Sequence, residues 1–316
     1  MEFKIKKNLQ ITLPLAIGFG LVWYSLRNIK PEEFIGYFLE ADYTWIALGL
    51  FFGILSHLSR AYRWKFMLEP LGFNPKYANS VMAVLIAYLV NLTIPRAGEA
   101  SRAAVMSNYE GIPFQKGFGT IVAERVADLV MLLVVIVITL FVQFDFIWEL
   151  ATKNFNLLKI GIGILGFIAS VIFFILFIKK ANKGIGLKIK VFIKGLVEGV
   201  MTIFKMKKKW PFIFHTIFIW LMYVLMFWAT IPAIDGLSVP IGGILVGFIA
   251  GGFSIAATNG GLGTYPVAVM GAFLLFGIPK ELGTEFGWVM WTAQTAMIII
   301  FGGLSFLLLP IFNKAK

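Results

Sequence analysis

Eight apolar segments, at 9–26, 45–64, 79–95, 120–144, 157–178, 211–232, 240–258 and 285–309, restrict this chain more than any other feature. Each holds 17 to 25 residues, which matches a helix crossing the hydrocarbon core of a bilayer at ~1.5 Å per residue. Two shorter helical stretches, 98–109 and 264–277, follow the third and the seventh. Hydrophobic residues make up 59% of the 316 residues and charged residues 14%. A soluble domain averages about 45–50% and about 25%, and it has no means of hiding so much apolar surface. The chain therefore reads as an all-α polytopic membrane protein. Its net charge of +12 sits in short basic runs between apolar segments, as in cytoplasmic loops, so nucleic acid is not an expected partner. The absence of cysteine removes disulfides, thiolate metal sites and thiol nucleophiles. With two distant histidines, His57 and His215, neither a metal centre nor a cofactor is expected.

Lys4, Lys6 and Lys7 precede the first apolar segment in the manner of a signal peptide. That segment ends in Trp23-Tyr24-Ser25-Leu26-Arg27 without a small-residue cleavage site, so it reads as a first transmembrane helix with a cytoplasmic N-terminus. The stretch 179–209 carries ten lysines against one acid, Glu198, and an apolar stripe at helical spacing from Ile189 to Phe204. It reads as a basic amphipathic helix in the inner membrane interface.

Sidedness then follows from counting. Eight full spans would place 179–209 outside the cell, against the positive-inside rule. The conflict disappears if 79–95 with 98–109, and 240–258 with 264–277, are re-entrant hairpins entering from opposite faces. Six full spans plus two oppositely oriented hairpins put both termini and 179–209 in the cytoplasm. The acidic loop with Glu32, Glu33, Glu40 and Asp42, and the loop with Asp145 and Glu149, then fall outside. A collinear internal repeat supports this: Trp45 with Trp210, Gly72 with Gly236, Pro75 with Pro240, Val105-Met106 with Val269-Met270, Gly111-Ile112-Pro113 with Gly277-Ile278-Pro279, and Gly119-Thr120 with Gly283-Thr284, all offset by 164 to 166 residues. The chain divides into a first helix and outer loop (1–44), repeat one (45–144), a linking helix and basic segment (145–209) and repeat two (210–316), all within one transmembrane domain. Inverted repeats with broken helices are a transporter architecture.

The hairpin tips carry the candidate chemistry. At the first, Pro95 and Gly98 break the helix, beside Arg96, Glu99 and Arg102. At the second, Asn259-Gly260-Gly261-Leu262-Gly263 breaks it and Pro266 suits the first turn of the next helix. Each tip offers free N–H groups at a helix N-terminus, an anion-binding arrangement. Glycines there also serve close helix packing. Glu124, Arg125 and Asp128 begin an otherwise apolar helix. One charge deep in a bilayer costs about 2.5–3.5 kcal/mol even on insertion scales, so these groups pair with one another, face a wet cavity or bind something charged. The expected substrate-binding set is Arg96, Glu99, Arg102, Glu124, Arg125, Asp128, Asn259, Gly261 and Gly263. Arg60, Arg63 and Lys65 read instead as anchors at the phosphate level of the bilayer.

The stretches Pro95-Arg96-Ala97-Gly98-Glu99-Ala100-Ser101-Arg102, Glu124-Arg125-Val126-Ala127-Asp128 and Gly260-Gly261-Leu262-Gly263 resemble the lysylphosphatidylglycerol synthase transmembrane family. That family comprises the flippase region of the multiple peptide resistance factor and its stand-alone relatives. The resemblance covers nearly the whole chain and implies a polytopic inner-membrane protein that moves or handles lipid, with an anionic phospholipid as the expected partner. In fused members a soluble aminoacyl-transfer domain follows this region; no such domain follows here, so synthase activity is not expected. No nucleotide-binding motif is present, which leaves passive exchange or ion coupling. The competing expectations are a membrane-embedded transferase acting on lipid phosphate, and a non-catalytic scaffold for envelope biogenesis.

Overall fold

The computed structural model describes residues 18–27, 29–94, 96–154 and 206–314, with a few isolated residues between 165 and 203. Pro95, the 157–178 segment and most of the basic 179–209 stretch lie outside the described residues. Among those described, the regular structure is entirely helical. After a helical stretch over residues 18–26 (α1) come α2 (Pro31–Leu39), α3 (Tyr43–Leu68), α4 (Tyr77–Thr93), α5 (Gly98–Glu110), α6 (Phe114–Val142) and α7 (Phe144–Asn154). The second half holds α8 (Lys209–Thr230), α9 (Ile241–Ala257), α10 (Thr264–Leu274) and α11 (Lys280–Phe312). Four of the described helical segments are long and apolar enough to cross a membrane: Tyr43–Leu71, Phe114–Val142, Lys209–Ala233 and Lys280–Phe312. Two stretches expected to be loops are helical. Pro31 at the first position starts α2 across the acidic segment, and α7 covers Asp145 and Glu149.

The chain forms two compact units, Met1–Glu124 with Trp210–Lys316, and Arg125–Lys209. In the second, α6 continues to Val142 and α7 follows, with Phe144 stacked on Trp148 at a centroid distance of 6.2 Å.

Within the first unit the element order repeats. A long helix (α3, α8) leads into a 3-10 turn, Glu69–Leu71 or Ile231–Ala233. A short helix pair (α4–α5, α9–α10) and a second long helix (α6, α11) follow. The matched glycines adopt matched conformations. Gly72 and Gly236 have φ of 86° and 70°, and Gly111 and Gly277 have φ of 67° and 73°. That left-handed region is open to glycine and disfavoured for residues with a Cβ, so the sequence repeat marks equivalent turns.

α3 and α8 pack antiparallel: Arg63 meets Thr216, Ser59 meets His215, and Asp42 N–H donates to Ala233 O at 2.9 Å. The helix pairs are antiparallel too. In the first, Asn79 at the start of α4 donates to Glu110 at the end of α5. In the second, Gly243, Gly247 and Gly251 form a stripe along α9. A Cβ at Gly251 would stand 2.6 Å from the Tyr265 ring, and one at Gly247 2.8 Å from the Phe273 ring. Glycine lets these rings of α10 lie against the α9 backbone.

The two pairs open toward opposite ends of α11. Asn79 and Asn313 exchange side-chain hydrogen bonds of 3.0 and 2.9 Å, fixing the open end of α4–α5 at the C-terminal end of α11. Gly283 and Gly287 lie against Met270 and Pro266, fixing the open end of α9–α10 at the N-terminal end of α11. The tips meet between these ends. Trp291 Nε1 donates to Gly260 O at 2.8 Å, and a Cβ at Gly260 would stand 2.5 Å from Leu92 of α4.

Candidate lipid-binding site

Glu124, on the third turn of α6, is fully buried, and three guanidiniums surround its carboxylate. Arg60 Nη1 donates to Oε1 at 2.8 Å, Arg63 Nη2 lies 3.0 Å from Oε1, and Arg102 Nη2 lies 3.1 Å from Oε2. Each arginine is at most 3% exposed. α3 supplies Arg60 and Arg63 on adjacent positions of one face, α5 supplies Arg102 one turn below the first tip, and α6 supplies the acid. Buried charges are paired because an isolated ion in a low dielectric is prohibitively costly.

Aromatic faces complete the cage. The Arg102 guanidinium lies 3.8 Å from the Trp64 ring centroid, and Arg63 lies 5.3 Å from that of Phe212. Trp64 Nε1 donates to Thr120 Oγ1 at 2.8 Å, fixing the indole, and Arg63 Nη1 donates to Thr216 Oγ1 at 2.9 Å. A polar chain leads away from the cluster. Arg60 Nη2 donates to Tyr223 OH at 3.3 Å, Tyr223 and Tyr88 share a 3.0 Å hydroxyl contact, and the His57 ring packs 4.5 Å from the Tyr88 ring.

Three guanidiniums and one carboxylate carry a formal surplus of two positive charges. Arg96 and Glu99 add one charge of each sign and leave that surplus unchanged. Such a site is electrostatically complementary to a phosphate, whose oxygens match the guanidinium fork.

The structure brings Arg102 and Glu124 together, as expected, and adds Arg60 and Arg63. These two are core residues, not anchors at the bilayer surface; the helix carrying them packs inward against α6 and α8. Of Arg60, Arg63 and Lys65, Lys65 alone is partly exposed, 3.9 Å from Glu69. Arg125 is exposed and pairs with Asp128 at 3.6 Å along α6. Arg96 is exposed in a left-handed conformation, φ 62°, and Glu99 is half-buried on the first turn of α5. The helix breaks where the sequence places it: Gly98 starts α5, with its N–H donated to Asn91 Oδ1 at 2.7 Å. A Cβ on Gly98 would collide with Ala87 O.

At the second tip, Gly260, Gly261 and Gly263 all have positive φ, and Pro266 occupies the first turn of α10. Asn259 is buried there. Among the described residues no group of His, Cys, Asp and Glu could hold a metal ion.

Fold and site define a polytopic helical membrane protein with a buried, positively charged polar cluster between its helices. The chain belongs to the family described as the lysylphosphatidylglycerol synthase TM region, which matches residues 11–303. It is similar to two UPF0104 membrane proteins: one of Methanocaldococcus jannaschii (30% identical, over 40% of this chain and 38% of that protein) and one of Pyrococcus horikoshii (26%, over 53% and 48%). It is also similar to glycosyltransferase AglD of Haloferax volcanii (34%, over 32% of this chain and 16% of that protein). The matched stretches thus span less than half of each relative. No solved structure matches the chain significantly.

Proposed function

We propose that the protein is a lipid flippase or transporter of the inner membrane that carries an anionic phospholipid or a lipid-linked head group past its two hairpins. The observation supporting this most is the burial of Arg60, Arg63 and Arg102 around Glu124. Three arginines gathered on one buried carboxylate form a cationic site of the kind a phosphate complements. Glu124 holds the guanidiniums apart and aligned, so that the phosphate meets a preorganised site. In this reading the two tips are re-entrant at mid-membrane depth and the repeats are inverted. Six full spans cross, and both termini are cytoplasmic. Non-helical backbone at that depth is tolerated where protein buries it or water reaches it. Lys76, against Phe312, and Lys314 lie at the C-terminal end of α11, and basic residues there support a cytoplasmic position for that end.

Transport without covalent chemistry is the reading for activity, carried by the charge the arginine cluster offers; Ser59 and His215, hydrogen-bonded at 2.8 Å beside that cluster, are the pair a transferase reading would use. The partial likeness to a protein named as a glycosyltransferase favours a glycosylated lipid among the cargoes. The testing experiment is reconstitution in liposomes. A flippase moves a labelled anionic phospholipid between leaflets unaided, a transferase changes the lipid's mass, and a scaffold does neither.

A further inference from the structure

We propose that the second hairpin tip is a subsite for the hydroxyl groups of the substrate head group, with Asn259 as its reader. This rests on the phosphate reading of the arginine cluster and assigns the chemistry next to that phosphate.

Asn259 is 6% exposed, and neither its Nδ2 nor its Oδ1 has a hydrogen-bond partner. An amide carries two donors and an acceptor with two lone pairs, so this is the largest unspent hydrogen-bonding capacity among the uncharged buried side chains described. Nearly all buried polar groups in native proteins are satisfied, and an orphan calls for an explanation. The neighbouring polar groups are already engaged. Thr258 and Thr264 share a 2.7 Å hydroxyl contact, Thr264 Oγ1 donates to Ser254 O, and Trp291 Nε1 donates to Gly260 O. The turn is fixed by those bonds, and Asn259 alone is left open. A second such group lies on α11: Nε2 of Gln294, one turn beyond the Trp291 that donates to Gly260 O, is buried without a partner.

The placement connects this tip to the arginines. Gly260 touches Leu92. Tyr88, one turn or about 6 Å back along α4, closes the hydroxyl chain through Tyr223 to Arg60. A head group whose phosphate sits among the arginines therefore has the second tip within reach. A carboxamide that both donates and accepts suits a hydroxyl, which also does both. A charged ammonium offers only donors, and an acyl chain offers neither.

The experiment compares purified protein in detergent binding four lipids with identical acyl chains: phosphatidic acid, phosphatidylglycerol, phosphatidylinositol and phosphatidylcholine. The wild type is expected to bind the glycerol or inositol lipid about tenfold more tightly than phosphatidic acid, the effect of one or two buried hydrogen bonds. Whichever of the two binds more tightly identifies an open polyol or a ring as the source of the hydroxyls. Asn259→Leu is expected to erase that preference, leave phosphatidic acid affinity unchanged, and melt no lower than the wild type. Gln294→Met is expected to reduce the preference in the same direction and covers the case in which Asn259→Leu fails to fold. Equal binding of phosphatidic acid and the hydroxylated lipids by the wild type overturns the subsite. So does a loss in Asn259→Leu that is the same for all the lipids. If phosphatidic acid binds no better than phosphatidylcholine, whose phosphate charge is offset by its own choline, the reading of the arginine cluster as a site for an anionic head group fails, whatever Asn259 does.

Discussion

Arg102 and Glu124 face each other in a two-point ion pair, with Nη1 donating to Oε1 at 3.2 Å and Nη2 lying 3.1 Å from Oε2. The pair ties the tip-proximal turn of α5 to α6, so the hairpin beside the proposed substrate path is held by a group proposed to bind the substrate. A phosphate competing for Arg102 would loosen that tie. Substrate occupancy and hairpin position are thereby linked through one guanidinium.

Arg102→Lys retains the charge and loses the fork. Lipid movement is expected to fall at least about tenfold, with a melting temperature within a few degrees of wild type. Arg96→Ala, at an exposed position, is expected to keep most of the activity. Side-by-side liposome assays and melting curves check both. An Arg96→Ala variant as inactive as Arg102→Lys would move the site to the tip itself.

Glu124→Gln leaves three buried guanidiniums without their carboxylate. Breaking a buried pair typically costs about 3–5 kcal/mol, so a large fall in melting temperature is expected, reversed in part by added phosphate or anionic lipid. Denaturation with and without those anions measures it. A variant as stable as wild type without anion would show that Glu124 does not hold the arginines together.

Gly251→Ala and Gly252→Ala separate packing from propensity. A Cβ at Gly251 meets the Tyr265 ring, whereas at Gly252 it meets nothing within 4 Å. Overpacking costs about 1–3 kcal/mol, while glycine to alanine in an open helix position is neutral or stabilising. Thermal melts should therefore order Gly251→Ala below wild type and Gly252→Ala at or above it.

The chain has no cysteine, which makes sidedness directly measurable. Asp235→Cys is expected to react with a membrane-impermeant thiol reagent on intact cells. Lys76→Cys and Lys314→Cys are expected to react only after permeabilisation. The reverse pattern would invert the assigned topology.

The repeat was legible because its turns need a left-handed residue, and glycine alone supplies one without strain: Gly72, Gly111, Gly236 and Gly277 stand out in an apolar sequence. The break at Gly260-Gly261 was legible for the same reason; at Gly98 glycine is needed instead because a Cβ would collide with Ala87 O. The arginine cluster was half legible. Arg102 and Glu124 stood beside a helix break or deep in an apolar helix. Arg60 and Arg63 fell near the C-terminal end of theirs, where basic residues ordinarily serve as interface anchors. Their membership depends on which face of α3 meets α6 and α8, a tertiary fact. The available signal was Gly49, Gly53, Ser56, Ser59, Arg60 and Arg63 lining one side of that helix, small residues marking a packed face and the arginines sharing it. α2 and α7 were missed because their acids read as loop, although the proline at the start of α2 is also a helix-initiating residue.

The most direct measurement is the transbilayer movement of a fluorescent anionic phospholipid in liposomes, comparing wild type with Arg63→Gln and Arg102→Gln at matched folded protein. The expected result is movement by the wild type, at least about a tenfold loss in both variants, and little movement of a phosphatidylcholine control. A wild-type protein that moves no anionic lipid, or variants that move it as fast as wild type while remaining folded, would contradict the claim that the buried arginines bind the lipid phosphate.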